Sequence, residues 1–132
     1  MTRRGVSSGS PFEARYGFSR AVRVGDRVIV AGTAPVPPAG AEVALGAYRQ
    51  LLRCGEIALA AMAQLGATAE HVVRTRMFLV DAADADEAGR AHAELFAAAS
   101  PAATMVVVAA LLDPAWLVEL EVEAVVTGEP AG

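Results

Sequence analysis

Apolar and polar residues alternate strictly near the C-terminus, where VELEVEAVV runs from Val118 to Val126. On an extended strand successive side chains point to opposite faces. Leu120, Val122 and Ala124 then share one face, and Glu119, Glu121 and Glu123 share the other. Two readings fit this row of carboxylates. A half-buried strand turns its polar face to water, or that face looks into a cleft shared with another chain, where one carboxylate handles protons.

The same patterning predicts the other elements. Ser19 to Val24 and Arg27 to Gly32 read as strands joined at Gly25-Asp26, a two-residue connection typical of a hairpin. TAPVPPAGAE, from Thr33 to Glu42, is a proline-rich loop. Apolar positions Leu45, Tyr48, Leu52, Leu59 and Met62, widened by Leu51, Ala58 and Leu65, predict an amphipathic helix stopped by Gly66. VVRTRMFLVD reads as a buried strand with Arg74 and Arg76 on one face and Val73, Thr75 and Met77 on the other. Asp84 with Glu87 resembles a capping box opening a second helix, whose inner face is Ala88, Ala91, His92 and Leu95. Ser100-Pro101 ends it, TMVVVAA forms a strand, and DPAW turns the chain into VELEVEAVV. Residues 1–15, polar and rich in Gly and Ser, are expected to be a flexible segment ahead of a single domain spanning 16–128. The economical arrangement is one sheet with both helices on one face, an α+β layer structure.

Composition narrows the classes of function. A chain of 132 residues makes one domain that folds by hydrophobic burial alone. With 55% hydrophobic but only 5% aromatic residues, its core is mostly Ala, Val and Leu, and the apolar excess suggests burial against other subunits. A net charge of -4 without a basic run speaks against nucleic acid as a partner. Cys54 is the only cysteine, which excludes a disulfide framework and a Cys cluster for zinc and fits a reducing, cytoplasmic compartment. No apolar run is long enough for a membrane span, and MTRRGVSSGSPF lacks the apolar stretch of a secretory signal. The glycines of VGD and AGT form no nucleotide-binding pattern, and Asp81, Asp84 and Asp86 are better explained by capping than by metal, so neither cofactor nor metal is expected.

Four collinear blocks then carry a resemblance. SRAVRVGDRVIVAGTAP (19–35), HVVRTRMFLVDAAD (71–84), PAATMVVVAAL (101–111) and LVELEVEAVV (117–126) resemble the reactive intermediate deaminase (Rid, YjgF-like) superfamily, formerly labelled L-PSP endoribonuclease. The resemblance implies a chorismate-mutase-like α+β fold with a single mixed sheet, two helices on one face and a trimeric assembly with clefts between subunits. It also implies metal-independent hydrolysis of enamine and imine intermediates to 2-keto acids and ammonia. The family's substrate-carboxylate arginine falls on Ala103, which cannot give the planar bidentate grip of a guanidinium. Its first-block tyrosine falls on Phe18, with Tyr16 two residues away; its serine falls on Ala31 and a second-helix asparagine on Gly89. The glutamate that positions water falls on Glu121.

Glu121 is therefore the candidate general base, flanked by Glu119 and Glu123, which would raise its pKa and otherwise read as surface or interface charges. The competing reading of Glu121 is a structural carboxylate paired across the trimer. Arg76, with Arg74 beside it, is the candidate anion anchor in place of the missing clamp, or else a salt bridge at a subunit interface. Phe18 would supply an apolar wall. His92 reads as a hydrogen-bonded core histidine, His71 as a surface residue, Arg90 as solvated and Cys54 as inert packing.

The expected protein is a homotrimer whose intersubunit clefts bind a small anionic metabolite, with hydrolysis of an imine-like substrate as its chemistry if it is an enzyme. Without an arginine at 103, the usual serine- or threonine-derived enamine is not the expected substrate. A ligand-binding or chaperone-like trimer without chemistry is the alternative. Ribonuclease action, implied only by the older label, is opposed by the acidic charge.

Overall fold

A computed structural model of the chain describes residues 2–127, so the expected domain end at 128 lies outside the described residues. The elements are β1 (Arg3–Val6), α1 (Pro11–Tyr16), β2 (Ala21–Val24), β3 (Arg27–Thr33), α2 (Ala47–Gln64), β4 (Val72–Leu79), α3 (Ala85–Phe96), β5 (Ala102–Val107) and β6 (Val118–Val125). All six strands form one mixed sheet in the order β1-β2-β3-β6-β4-β5, in which only β4 and β5 run parallel.

Alternation along β6 sorts the sheet into a covered and an open face. Val118, Leu120, Val122 and Ala124 are buried, while Glu119, Glu121 and Glu123 are only partly covered. The buried face joins Val28, Val30, Met77 and Leu79 of neighbouring strands with Leu51, Cys54, Ala58 and Met62 of α2 and Ala88, Ala91 and Phe96 of α3 in one core. Leu45 does not join the helical stripe as expected. Gly46, at φ 84°, turns the chain before α2 begins, which leaves Leu45 85% exposed.

Three further expectations are corrected. Within the stretch 1–15, secondary structure is present where none was read: β1 (Arg3–Val6) pairs antiparallel with β2, and α1 starts at Ser10-Pro11 and stops at Gly17, φ 77°. An edge strand held by main-chain hydrogen bonds needs no apolar periodicity, and a helix of 6 residues, less than two turns, is too short to show any. The Asp84–Glu87 capping box does not form; the chain enters α3 through a tight turn at Ala82–Asp84, where Asp81 accepts from Ala83 N at 2.9 Å. Val73 leaves the Thr75–Met77 face, because a register shift between Val72 and Arg74 makes it the extra residue of a bulge, 48% exposed.

Candidate functional site

The open sheet face carries a ladder of charges across three adjacent strands. Arg76 and Glu121 are cross-strand neighbours, and Arg76 donates from Nη1 to Glu121 Oε1 at 3.1 Å. One step along, Glu123 lies 3.4 Å from Arg27 Nη2 on β3 and 3.8 Å from Arg74 Nε on β4. With Ile29, Ala31, Val73 and Ala102 these residues line a groove of about 680 Å³. Arg76 and Glu121 thus share one groove, and each is the other's counterion. Exposed as they are, the pair contributes at most about 1 kcal/mol.

Glu119 has a different setting. β3 bulges between Val30 and Thr33, which brings Gly32 against the start of β6, where a Cβ would stand 3.1 Å from Glu119 Oε1. Glu119 lines a cavity of about 600 Å³ with Tyr16, Phe18, Arg20, Arg53, Asp113 and Trp116. The loop prolines Pro37 and Pro38 form part of its wall. Burial holds Glu119 above the usual carboxylate range, Arg20 pulls it down, and Glu121 two residues along the strand pushes it up.

Arg20 is 7% exposed and comes forward because Ala31 N donates to its carbonyl at 2.9 Å, tying the residue before β2 to the β3 bulge. Its guanidinium lies 5.4 Å from the Phe18 ring centroid. Arg20 Nε stands 3.6 Å from Glu13 Oε2 and has no hydrogen-bond partner. The Glu13 carboxylate is occupied by Ser7 Oγ at 2.7 Å, by Ser8 N at 3.0 Å and by Ser8 Oγ. Burial works to raise the Glu13 pKa, but these serine hydrogen bonds and Arg20 bring it below the ordinary value.

Comparison with known proteins places this architecture. The profile of the family described as "Endoribonuclease L-PSP" matches residues 9–126. The chain belongs to the L-PSP endoribonuclease family, within the Rid/YjgF superfamily. Proteins similar to it include an uncharacterized protein of Streptomyces coelicolor, SCO2049, 44% identical over 92% of this chain and 90% of that protein. A RutC family protein of Pyrococcus abyssi is 31% identical over 79% of this chain and 82% of its own length. Among solved structures, Rv2704 of Mycobacterium tuberculosis, described as a member of the YjgF/YER057c/UK114 family, superposes with a TM-score of 0.84 at 40% identity. That match covers 94% of this chain and 99% of Rv2704. PA3499 of Pseudomonas aeruginosa, a protein of unknown function, gives a TM-score of 0.83 at 27% identity, covering 96% and 94% of the two chains.

Within the family fold, the residues put forward by the sequence sort into separate places. Arg74, Arg76, Glu121 and Ala31 line the sheet groove, whereas Tyr16 and Phe18 line the cavity beside Glu119. Ala103 joins neither set. Met105, two residues on, faces Gly89 of α3, so by alternation Ala103 points to the helix side at the sheet edge. Arg90 lies over the Tyr48 ring at 4.4 Å, and Tyr48 donates its hydroxyl to Glu94 at 2.6 Å, which leaves Arg90 on the outer surface of the helices.

His92 is partly buried against the core, its Nε2 2.7 Å from Thr75 Oγ1, and burial lowers its pKa. His71 accepts at Nδ1 from Thr68 N at 2.9 Å. Cys54 is fully buried, and burial drives its thiol pKa far up, so no thiolate is available there. Among the described residues no cluster of His, Cys, Asp and Glu converges to hold a metal, and no helix is long and apolar enough to cross a membrane.

Reading the sequence passes over Arg20 and gives Glu119 only the part of a flanking surface or interface charge. One signal for Glu119 is present: Gly32 falls inside a strand pattern, after the β-branched run Val28, Ile29 and Val30, and a glycine there marks a bulge or a close approach. Nothing local marks Arg20, because its burial depends on Glu13 and Phe18 folding over it.

Proposed function

We propose that the chain binds a small anionic metabolite in clefts between the subunits of a homotrimer, and hydrolyses an imine- or enamine-like substrate there, with a carboxylate orienting the attacking water. The observation that carries this reading is Glu119, a partly buried carboxylate raised above its ordinary range on the wall of a cavity that also holds a guanidinium and aromatic side chains. A general base needs to meet water near neutral pH and to stay clear of a permanent counterion. Glu119 meets these conditions better than Glu121, which spends its charge on Arg76 at 3.1 Å.

In this reading water held by the Glu119 carboxylate attacks the C=N carbon. The carboxylate takes the water proton and returns it to the imine nitrogen, giving a carbinolamine; Glu119 then carries the hydroxyl proton to the departing nitrogen as the C–N bond breaks, leaving carbonyl and ammonia. Phe18, Tyr16 and Trp116 wall the organic part of the substrate. The sheet groove serves assembly: its charges are largely paired, and the exposed Ile29, Val73 and Val106 beside them suit coverage by a neighbouring subunit.

The test is turnover of freshly generated imines of small 2-keto acids by the wild type, Glu119→Gln and Glu121→Gln. Glu119→Gln should lower kcat by about a hundredfold or more, the usual size of a general-base contribution, while Glu121→Gln retains most activity. Loss confined to Glu121→Gln would return the catalytic role to the sheet groove. Ligand-dependent thermal stabilisation without turnover would replace the hydrolase with a binding protein.

A further inference from the structure

We propose that Gln50 is a positioning residue of the Glu119 cavity: its buried carboxamide ties Trp116 to the end of the loop before α2. The indole wall so fixed makes the cavity select a substrate with a bulky apolar side chain over one with a small side chain. This rests on the cavity being the ligand site and adds to that reading the class of substrate.

Gln50 stands near the start of α2, on the stripe that buries Ala47, Leu51 and Cys54, and is itself buried. A carboxamide in such a stripe is costly unless its donors and its acceptor are used. Here Nε2 donates to Ala44 O at 3.0 Å and to Ala115 O at 2.9 Å, while Oε1 accepts from Leu117 N at 2.7 Å. These partners fix the orientation of the amide, because the flipped group would set its oxygen against two carbonyls and its NH2 against an N–H. All three are main-chain groups of loop residues, outside any helix or strand. One side chain thus holds two loops that are distant in the sequence.

Both loops are walls of the cavity. Val43 lines it from the loop before α2, and Leu112 and Trp116 line it from the loop before β6. Ala44 follows Val43 directly, and Ala115 and Leu117 flank Trp116, so each bond to Gln50 falls beside a lining residue. The main chain at Trp116 is held on every side: its own N donates to Asp113 O at 3.0 Å, Ala115 N donates to Asp113 Oδ1 at 2.8 Å, and Gln50 takes the groups before and after it. Among the described residues no hydrogen bond reaches the indole itself, so its place follows from that main chain. With Phe18, Val43 and Ile57 the indole makes an apolar wall in the cavity that contains Glu119. A methyl-sized side chain leaves most of such a wall wet, whereas a branched one covers it, and each added methylene in an apolar pocket is worth about tenfold or more in discrimination.

Trp116 is the only tryptophan of the chain, so its fluorescence reports on this wall directly. The test takes the full chain as wild type, Gln50→Met, Trp116→Ala and the double variant, each checked by circular dichroism. Turnover is measured on freshly generated imines derived from leucine and from alanine, and indole emission is followed on adding the two corresponding keto acids. The wild type should prefer the leucine-derived imine in kcat/KM by about tenfold or more, and the leucine keto acid should shift the emission saturably. Gln50→Met keeps the side-chain volume without its bonds; it should move the emission of the free protein to the red and cut the preference about tenfold, through KM for the leucine-derived imine. Trp116→Ala should cut the preference as far, and the double variant no further, because Gln50 acts through Trp116. Should Gln50→Met not fold, Gln50→Glu, which keeps the acceptor for Leu117 N, takes its place. No preference in the wild type, an intact preference in Gln50→Met, or losses that add in the double variant would overturn the inference while hydrolysis stands. Turnover with the indole unmoved by either keto acid would do the same. A saturable indole shift without turnover would remove the hydrolase and leave the preference to be decided by the ratio of the two keto-acid affinities across the same variants. Neither turnover nor a shift at millimolar concentration would overturn the inference and the cavity as ligand site together.

Discussion

Gly32 stands where the backbone must come close to a carboxylate. A Cβ there would lie 3.1 Å from Glu119 Oε1, so Gly32→Ala should displace the carboxylate by a few tenths of an ångström while the strand stays paired. Turnover is expected to fall by about an order of magnitude with little change in melting temperature; unchanged kinetics would mean that the position of Glu119 is immaterial. His92 supplies a second expectation, for stability. Burial holds its folded pKa below the ordinary 6.5, so the unfolded chain takes up a proton first on acidification. Stability contributed by the neutral ring is complete above 6.5 and is lost as pH falls from there toward the folded pKa. Urea midpoints measured on either side of that window should converge in His92→Gln relative to the wild type.

At the scale of elements, the contact of α2 with α3 depends on a missing side chain. A Cβ on Gly55 would collide with the Leu95 methyl groups, so the helices cross closely at that point. Gly55→Ala is expected to cost about 1–3 kcal/mol, read from chemical denaturation. Gly55→Ala combined with Leu95→Ala should cost less than the sum of the two alone, because the second change removes the clash. Additive losses would show that the helices move apart instead. The helices themselves are legible in the sequence, since a period of three to four residues survives in Leu51, Ala58, Met62 and Leu65. The start of α2 is not, because Leu45 fits the period but precedes the turn at Gly46.

For the whole molecule, the open face sets the expectation. Ile29, Val73 and Val106 are 39%, 48% and 39% exposed beside a charge ladder that is largely self-neutralised. A covering subunit would bury apolar surface there without stranding many charges. Sedimentation equilibrium should give the mass of a trimer, and Ile29→Lys should shift it toward monomer while circular dichroism stays unchanged. A monomeric wild type would remove the intersubunit cleft from the proposed function and leave the cavity walls to a single chain.

Alternation and helical period give from sequence alone which residues share a face where no bulge or turn interrupts the element, because those periods belong to the backbone; Val73 at the bulge and Leu45 before Gly46 escape them. Glu119, Glu121 and Glu123 fall together, as do Arg74 and Arg76, and the collinear blocks place the chain in its family. Which partner each carboxylate meets is decided only by tertiary structure. Register sets Glu121 against Arg76, the β3 bulge brings Gly32 to Glu119, and the first turns of the chain carry Glu13 to Arg20. Three chemically identical side chains on one strand thereby acquire different neighbours, and electrostatics in a partly buried site is fixed by neighbours rather than by residue type.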